Sequence, residues 1–289
     1  MKRVLIAGAS GLVGSHLLHL LGPEVELHLI GRNVSSAAVG VCYHSLDLAG
    51  DFSTAGLPER IDAIVYLAQS DHFRDFPRRA GDVFMVNTAA PMRLLDYGRR
   101  AGAGQFIYAS SGGVYGTGET VAREDIALLA RGDLGFYLTS KLCTELLAQN
   151  FSSFLDVALL RLFFAYGEGQ KRQMLIPRLI NNVRSGTPVS LQGENGIRIN
   201  PLHAADAALA LQATLNLKGS HTINIAGPEA LSIRAICEEI GRQVGREPKF
   251  VMTEPAGDLV ADISKMNHLL TPPTRRFAEC LPRLLRESS

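Results

Sequence analysis

The sequence lacks the features that mark several broad classes of protein. Its 29 Lys and Arg are nearly balanced by 28 Asp and Glu, so the net charge is +1 and the basic excess of a dedicated nucleic-acid binder is missing. No apolar run reaches the roughly 18 residues that a membrane span requires, and no signal-peptide pattern precedes the first strand-like run. These absences predict a cytoplasmic protein that binds neither nucleic acid nor membrane.

Cysteine is also scarce, and its spacing excludes two further kinds of framework. The four cysteines lie far apart and form neither a CxxC pair nor a metal-ligand pattern: Cys42, Cys143, Cys237 and Cys280. We therefore expect reduced thiols and no bound metal. What the chain does have is 46% hydrophobic residues over a length of 289, which is enough to bury a sizeable core.

The first 165 residues alternate two patterns. Short apolar runs without polar alternation are typical of buried parallel strands, and amphipathic stretches between several of them are long enough for helices. The predicted strands are residues 3–8, 25–30, 41–44, 62–67, 104–109 and 156–161, and the predicted helices are 12–21, 87–102 and 136–151. This alternation predicts an α/β fold with a doubly wound parallel Rossmann sheet.

After residue 165, glycine and proline punctuate shorter segments. Helices are predicted over 174–185, 203–216 and 232–245, with strands over 222–226 and near 249–252, before a basic end. We expect a dinucleotide-binding domain of residues 1–165 plus about 201–226, and a smaller C-terminal substrate lobe of about 166–200 plus 227–289. The cleft between them is the expected ligand site.

A glycine-rich loop follows the first predicted strand and opens the first helix. Gly8 permits a tight turn, Gly11 lets backbone N–H groups approach a pyrophosphate, and Gly14 allows the helix to pack closely on the sheet. The helix N-terminus then faces the negative charge. The predicted dinucleotide contacts in this loop are Gly8, Ser10, Gly11, Leu12, Val13 and Gly14.

The end of the second predicted strand bears on which cofactor binds. A carboxylate there would bind the adenosine ribose and repel a 2′-phosphate, but this sequence has Gly31-Arg32. The guanidinium of Arg32 can bind phosphate or stack on adenine, so we expect NADP in preference to NAD. An arginine lying over the adenine of NAD is the alternative.

Three side chains form a candidate catalytic group. Tyr137 and Lys141 lie four residues apart, on one face of a predicted helix. A tyrosine pKa near 10 is too high for proton exchange at neutral pH, but a nearby ammonium and an oxidised nicotinamide both favour the phenolate. Ser111 follows the carboxyl end of a predicted strand, where its hydroxyl can donate to a substrate oxygen.

Taken in order, the motifs GASGLVG, YASSGGVYG and YLTSK resemble those of the extended short-chain dehydrogenase/reductase family, in its nucleotide-sugar epimerase/dehydratase group. The resemblance covers nearly the whole chain and implies a catalytic triad of Ser111, Tyr137 and Lys141. It also implies a homodimer formed through the helices over 87–102 and 136–151, with Asn87 opening the first of them. The further cofactor contacts that we expect are Asp47, Leu48, Leu67, Ala68, Gln69, Asn87, Tyr137, Lys141 and Phe164.

The chain departs from the family pattern at several positions. Gly112 and Gly113 replace the acidic pair that dehydratases need to eliminate water, which excludes that activity. Phe164 replaces an Asn, and Pro255-Ala256 stands where an Arg would bind a diphosphate. Arg198 remains as the candidate for substrate binding, together with Ser111 and Tyr137. We expect His203 and Asp206 to cap or stabilise the following helix. The arginines in 74–79 are expected to form a solubilising surface.

The function expected from these observations is hydride transfer. The chain is predicted to be an NAD(P)-dependent epimerase or ketoreductase of a nucleotide-linked sugar. The first alternative is an NADP-dependent reductase or dehydrogenase of a smaller carbonyl or alcohol without a nucleotide. The second is a sensor that binds NADP without catalysis.

Overall fold

The computed structural model describes residues 1–32, 40–118, 121–128 and 134–287. The strands are β1 (Lys2–Ala7), β2 (Val25–Gly31), β3 (Val41–Ser45), β4 (Ala63–Tyr66), β5 (Gln105–Ser111), β6 (Asp156–Leu162), β7 (Ala165–Tyr166), β8 (Val189–Gln192), β9 (Arg198–Ile199), β10 (Leu202–His203), β11 (His221–Ile225), β12 (Leu231–Ser232) and β13 (Phe250–Thr253). The helices are α1 (Leu12–Leu20), α2 (Ala80–Phe84), α3 (Ala90–Arg100), α4 (Gly135–Gln149), α5 (Leu175–Ser185), α6 (Ala204–Thr214), α7 (Ile233–Val244), α8 (Ser264–Leu269) and α9 (Phe277–Glu287).

The central feature is a seven-stranded sheet in the order β11-β6-β5-β4-β1-β2-β3, in which every pairing is parallel. The strand order reverses between β1 and β4, and ligands of open α/β sheets bind at such a switch point. The predicted fold class, a doubly wound parallel sheet, is confirmed.

Apolar layers cover both faces of this sheet. On one face, Ile64 and Phe106 pack against Leu94 of α3. On the other, Ile6 packs with Leu17 of α1 and Leu211 of α6. Burial on both faces explains why the central strands read as continuous apolar runs rather than alternating ones.

A third apolar cluster brings together segments from the second half of the chain. Ile180 of α5, Ile236 of α7 and Leu281 of α9 are its buried members. Sequence analysis described the end of the chain only as basic and did not predict α8 or α9. We keep the division into a dinucleotide-binding domain and a substrate lobe as a proposal, with the boundaries given above.

The helix predicted over 87–102 begins earlier than expected. Helical backbone runs from Ala80 to Arg100 and includes a π-helical turn at Met85–Ala89. The prediction that Asn87 opens the helix is therefore wrong. That expectation came from the resemblance, whereas here the helical backbone is already established before Asn87. The first turn of α3 contains Pro91, at a position where proline is typical. The proline has no N–H to donate to the Asn87 carbonyl four residues earlier.

Within the described ranges, each helix falls short of the length and apolarity that a membrane crossing needs.

Candidate active site

A cavity of about 1020 Å³ lies at the carboxyl edge of the parallel sheet, at the predicted position. It extends from the glycine loop across β4 and β5 to the segment before α5. The sequence-predicted residues in its wall are Gly8, Ser10, Gly11, Leu12, Val13, Gly14, Arg32, Asp47, Leu48, Leu67, Ala68, Gln69, Ser111, Tyr137, Lys141 and Phe164. The structure therefore brings together most of the residues that sequence analysis singled out.

The glycine loop has no room for side chains where glycine stands. Gly8 adopts φ +90°, and a Cβ there would lie 2.6 Å from the backbone nitrogen of Ala68. A Cβ on Gly14 would lie 2.3 Å from the Gly8 carbonyl oxygen. Gly11 is the N-cap of α1 without a side-chain hydrogen bond, so the amides of the first turn have no side-chain acceptor at the cap. This arrangement fits the pyrophosphate of a dinucleotide.

Two residues in the cavity wall have a buried polar atom without a partner in the described part of the chain. Ser110 Oγ and Gln170 Oε1 have no hydrogen-bond partner among the described residues. Buried polar atoms nearly always have a partner, and a ligand in the cavity can supply one. Sequence analysis missed both residues, although Ser110 directly precedes Ser111.

Charged side chains meet at the end of β2. Arg32 is largely exposed, and its Nη2 lies 3.9 Å from Asp71 Oδ2. Asp71 also pairs with Lys171, and this hydrogen bond together with the two positive charges holds the pKa of Asp71 below its usual range. No atom lies within 4 Å of where a Gly31 Cβ would be, among the described residues.

Tyr137 lies in the first turn of α4, with its hydroxyl in the cavity wall. Its Oη donates a hydrogen bond of 2.8 Å to Gln69 Oε1, and its ring lies 5.3 Å from that of Phe73. Burial raises the pKa of Tyr137 to about 12, while the Ser111 hydroxyl acts in the opposite direction. The phenol is consequently protonated at neutral pH in this state.

Lys141 lies one helical turn further on and is almost completely buried. Its ammonium donates to the Ala109 carbonyl oxygen over 2.9 Å and lies 4.9 Å from the centre of the Tyr108 ring. Burial lowers the pKa of Lys141 to about 7, and the Glu145 carboxylate opposes this shift. Burial under the cavity therefore disfavours the charged form of Lys141.

Ser111 ends β5 and caps the short helical turn Gly112–Tyr115. Its Oγ accepts a hydrogen bond of 3.1 Å from the Gly113 amide, which leaves its own proton to donate into the cavity. A Cβ on Gly112 would lie 2.5 Å from the Phe163 ring, and one on Gly113 would lie 2.7 Å from Leu138. The packing therefore leaves no room for the acidic pair of a dehydratase.

Asn87 is buried below the cavity and contributes no atom to its described wall. Its Oδ1 accepts a hydrogen bond from the Ser70 amide, and its Nδ2 donates to Ser140 Oγ. Its carbonyl accepts from the hydroxyls of Tyr108 and Thr144. In the structure Asn87 connects the segment after β4 to α4, and its predicted contact with the cofactor stays a prediction.

Arg198 also lies elsewhere than predicted. It is exposed on β9 and is absent from the described cavity wall, whereas its neighbour Ile199 is completely buried. Successive side chains of a strand point to opposite faces, so burial of Ile199 sends Arg198 to solvent. The structure therefore does not support Arg198 as a substrate contact.

His203 and Asp206 stabilise α6, as predicted. His203 Nδ1 accepts a hydrogen bond from the Ala205 amide at the helix N-terminus. Asp206 is buried, accepts from the backbone amides of Thr274 and Arg275, and pairs with the Arg275 guanidinium.

Two segments of the cavity wall escaped sequence analysis. They are residues 70–74 after β4, and residues 169–171 and 173–176, which lead into the first turn of α5; Arg79 and Asp82 also contribute. The arginines in 74–79 are exposed, as predicted for a solubilising surface, but Arg74 and Arg79 also line the cavity. Their position directly after Gln69, at the carboxyl edge of the sheet, could have indicated a role.

Comparison with known proteins agrees with this architecture. The model of the NAD dependent epimerase/dehydratase family matches residues 4–226. The chain belongs to this family. Its membership confirms the predicted class of enzyme, a nicotinamide-dependent epimerase or oxidoreductase of the extended short-chain dehydrogenase/reductase type.

Individual relatives are distant but cover nearly the whole chain. A dTDP-4-dehydro-6-deoxy-D-allose reductase of Streptomyces sp is 25% identical and covers 93% of this chain and 90% of the relative. The uncharacterized UDP-glucose epimerase YtcB of Bacillus subtilis is 26% identical, with coverage of 93% and 92%. The solved structure of MoeE5 in complex with UDP-glucuronic acid and NAD is 27% identical, with a TM-score of 0.82 and full coverage of both chains.

Proposed function

We propose that the protein interconverts or reduces a nucleotide-linked sugar by hydride transfer, with Tyr137 exchanging the proton. The observation that carries this proposal is the position of the Tyr137 hydroxyl. It lies in one cavity wall with the glycine loop, Ser111 and Lys141. MoeE5, whose solved complex holds UDP-glucuronic acid and NAD, supports this substrate class.

The bound nicotinamide would give or accept the hydride at a sugar carbon. Tyr137 would exchange its hydrogen bond to Gln69 for one to the sugar oxygen and move the proton there. Ser111 would donate its free proton to the same oxygen and fix its position. Lys141 would favour the phenolate electrostatically and oppose the effect of burial on the Tyr137 pKa.

For the cofactor, we propose a preference for NADP, since Arg32 stands at the end of β2 where a carboxylate would repel a 2′-phosphate. MoeE5 and the UDP-glucuronic acid 4-epimerase of Bacillus cereus are both described with NAD, which makes the comparison of affinities essential. Titration of the protein with each dinucleotide measures the two dissociation constants. Tighter binding of NAD than NADP would overturn this preference.

The reaction is tested by incubating the protein with nucleotide sugars and either dinucleotide. An epimerase forms a new sugar epimer, seen by NMR, without net change in nicotinamide absorbance. A ketoreductase consumes reduced nicotinamide in proportion to a keto-sugar. Absence of both products, with no stabilisation by any nucleotide sugar, would contradict the proposal.

We also propose a homodimer. Leu146 and Leu147 are exposed at 58% and 43% on α4, within the second of the two segments that the resemblance indicated, and Phe84 is exposed at 49% on α2, just before the first. Light scattering after size exclusion should show a dimer, and Leu146→Glu should weaken it. A monomer at micromolar concentration would contradict this arrangement.

A further inference from the structure

A nucleotide sugar carries at least two negative charges, which the cavity must accommodate. The positions that sequence analysis considered for binding these charges do not provide a cation in the cavity. Arg198 is exposed outside the described wall, and Pro255-Ala256 provides no cation. Binding phosphate or carboxylate without a charged donor loses the strongest hydrogen bonds available to these groups.

Several cations do line the described cavity, but most are already paired. Arg79 pairs with Asp82, and Lys171 and Arg32 share Asp71. Lys141 is buried against a backbone carbonyl. The charges of Arg79, Lys171 and Lys141 are thus held by groups of the protein itself, and Arg32 stands at the end of β2, where we propose that it serves the cofactor.

Arg74 differs from these cations. It lines the cavity without an ion pair to any carboxylate of the described chain. Its Nη1 donates a hydrogen bond of 2.9 Å to the Gln173 carbonyl oxygen, and its guanidinium lies 5.0 Å from the centre of the Phe73 ring. A guanidinium has five N–H donors, so these two contacts leave enough of them for a bidentate anion.

The same contacts place Arg74 close to the reacting groups. The Phe73 ring on which it lies packs 5.3 Å from the ring of Tyr137. Arg74 also connects the segment after β4 to the segment before α5, across the cavity. The first of these segments is held by the hydrogen bond from the Ser70 amide to Asn87. Arg74 is itself exposed, and its hydrogen bond to the Gln173 carbonyl and its contact with the Phe73 ring keep the guanidinium at the cavity wall.

We propose that Arg74 binds an anionic group of the substrate and thereby determines specificity for acidic ligands. This inference rests on the proposed function and names the residue that recognises the charge. The anion has two chemical sources, the diphosphate of the nucleotide or a carboxylate on the sugar. Both present paired oxygens that match the guanidinium.

The test uses calorimetric titration of the NAD-loaded protein with UDP, UDP-glucose and UDP-glucuronic acid. In the variant Arg74→Gln we expect affinity for the recognised ligand to fall by about 10- to 100-fold, the value of a charged hydrogen bond. Equal loss for all three ligands identifies the diphosphate. Loss confined to UDP-glucuronic acid identifies the carboxylate. Arg74→Lys should restore only part of the affinity, because lysine keeps the positive charge but lacks the paired N–H donors of the guanidinium.

Arg78→Gln is the matched control. Arg78 lies on the same segment, is exposed, and is absent from the described cavity wall. NAD affinity and melting temperature should be unchanged in both glutamine variants. If the wild type binds these ligands and Arg74→Gln binds them as tightly as Arg78→Gln does, the assignment of Arg74 is wrong. If the wild type binds none of the three, the assignment of Arg74 to these ligands is wrong, whereas the proposed function fails only if no other nucleotide sugar stabilises the protein either.

Discussion

The two ends of the cavity are built differently. At the cofactor end, backbone atoms of the glycine loop and α1 form the wall, and the spacing between them is too tight for any Cβ at Gly8 or Gly14. At the substrate end, long side chains such as Arg74 and Lys171 come from segments about 100 residues apart. A backbone site fixes one ligand shape, whereas side chains can be exchanged without changing the fold.

This difference indicates which end carries specificity. The cofactor end is common to enzymes that share the fold, because its geometry follows from one strand, one turn and one helix. The substrate end depends on which side chains meet across the cavity. We therefore expect substitutions at the cofactor end to affect folding and cofactor binding, and those at the substrate end to affect the choice of ligand.

The largest effect is expected at the cofactor end, for Gly14→Ala. The added Cβ would lie 2.3 Å from a backbone oxygen, so α1 must move away from the loop. We expect a loss of stability of about 3 kcal/mol, at the upper end of overpacking effects, and weakened dinucleotide binding. Chemical denaturation and cofactor titration measure the two effects.

Gly81→Ala is the matched control for this substitution. Gly81 lies in α2, and no described atom is within 4 Å of where its Cβ would be. Alanine is the better helix former, so stability should stay equal or rise by up to about 1 kcal/mol. Equal behaviour of the two variants would show that the close packing of the glycine loop is unimportant.

A smaller effect on stability is expected from substitution of Lys141, which lies in the cavity wall. Its pKa is about 7 in the folded protein against an ordinary value of 10.5, so the unfolded chain binds a proton more readily over this range. Stability should therefore rise as the pH increases from about 7 to about 10. Lys141→Met removes this dependence and should be more stable than the wild type by about 2 kcal/mol at neutral pH.

The comparison is made by thermal melting of the cofactor-free proteins at several pH values. The difference between variant and wild type should shrink toward about pH 10, where the lysine of the unfolded chain also loses its proton. The exposed Lys249 provides a control, since its charge stays in water in both states. If the difference in stability between Lys141→Met and the wild type stays constant with pH, burial does not disfavour the charged form of Lys141.

The smallest effect is expected for Arg198→Gln. Its side chain is exposed on β9 and outside the described cavity wall, so ligand affinity and turnover should change little. Steady-state kinetics with the best substrate provide the measurement. A large rise in KM would show that Arg198 reaches the substrate after all and would weaken the case for Arg74.

Prediction from the sequence was also more successful for the cofactor end of the cavity than for the substrate end. The parallel sheet and the glycine loop were predictable because their patterns are contiguous in the chain. Three features depend on contacts that no local pattern contains. The π-helical turn around Asn87 continues a helix that already begins at Ala80, Arg198 is turned outward by burial of Ile199, and Arg74 meets Gln173 only across the fold.

The central claim, proton transfer by Tyr137, is tested most directly by Tyr137→Phe. Turnover should fall by about 100- to 10,000-fold, while cofactor affinity and melting temperature stay nearly unchanged. Tyr97→Phe is the matched control, because it removes a hydroxyl that bonds Pro58 rather than one in the cavity wall. Turnover of Tyr137→Phe at the level of Tyr97→Phe would contradict the account.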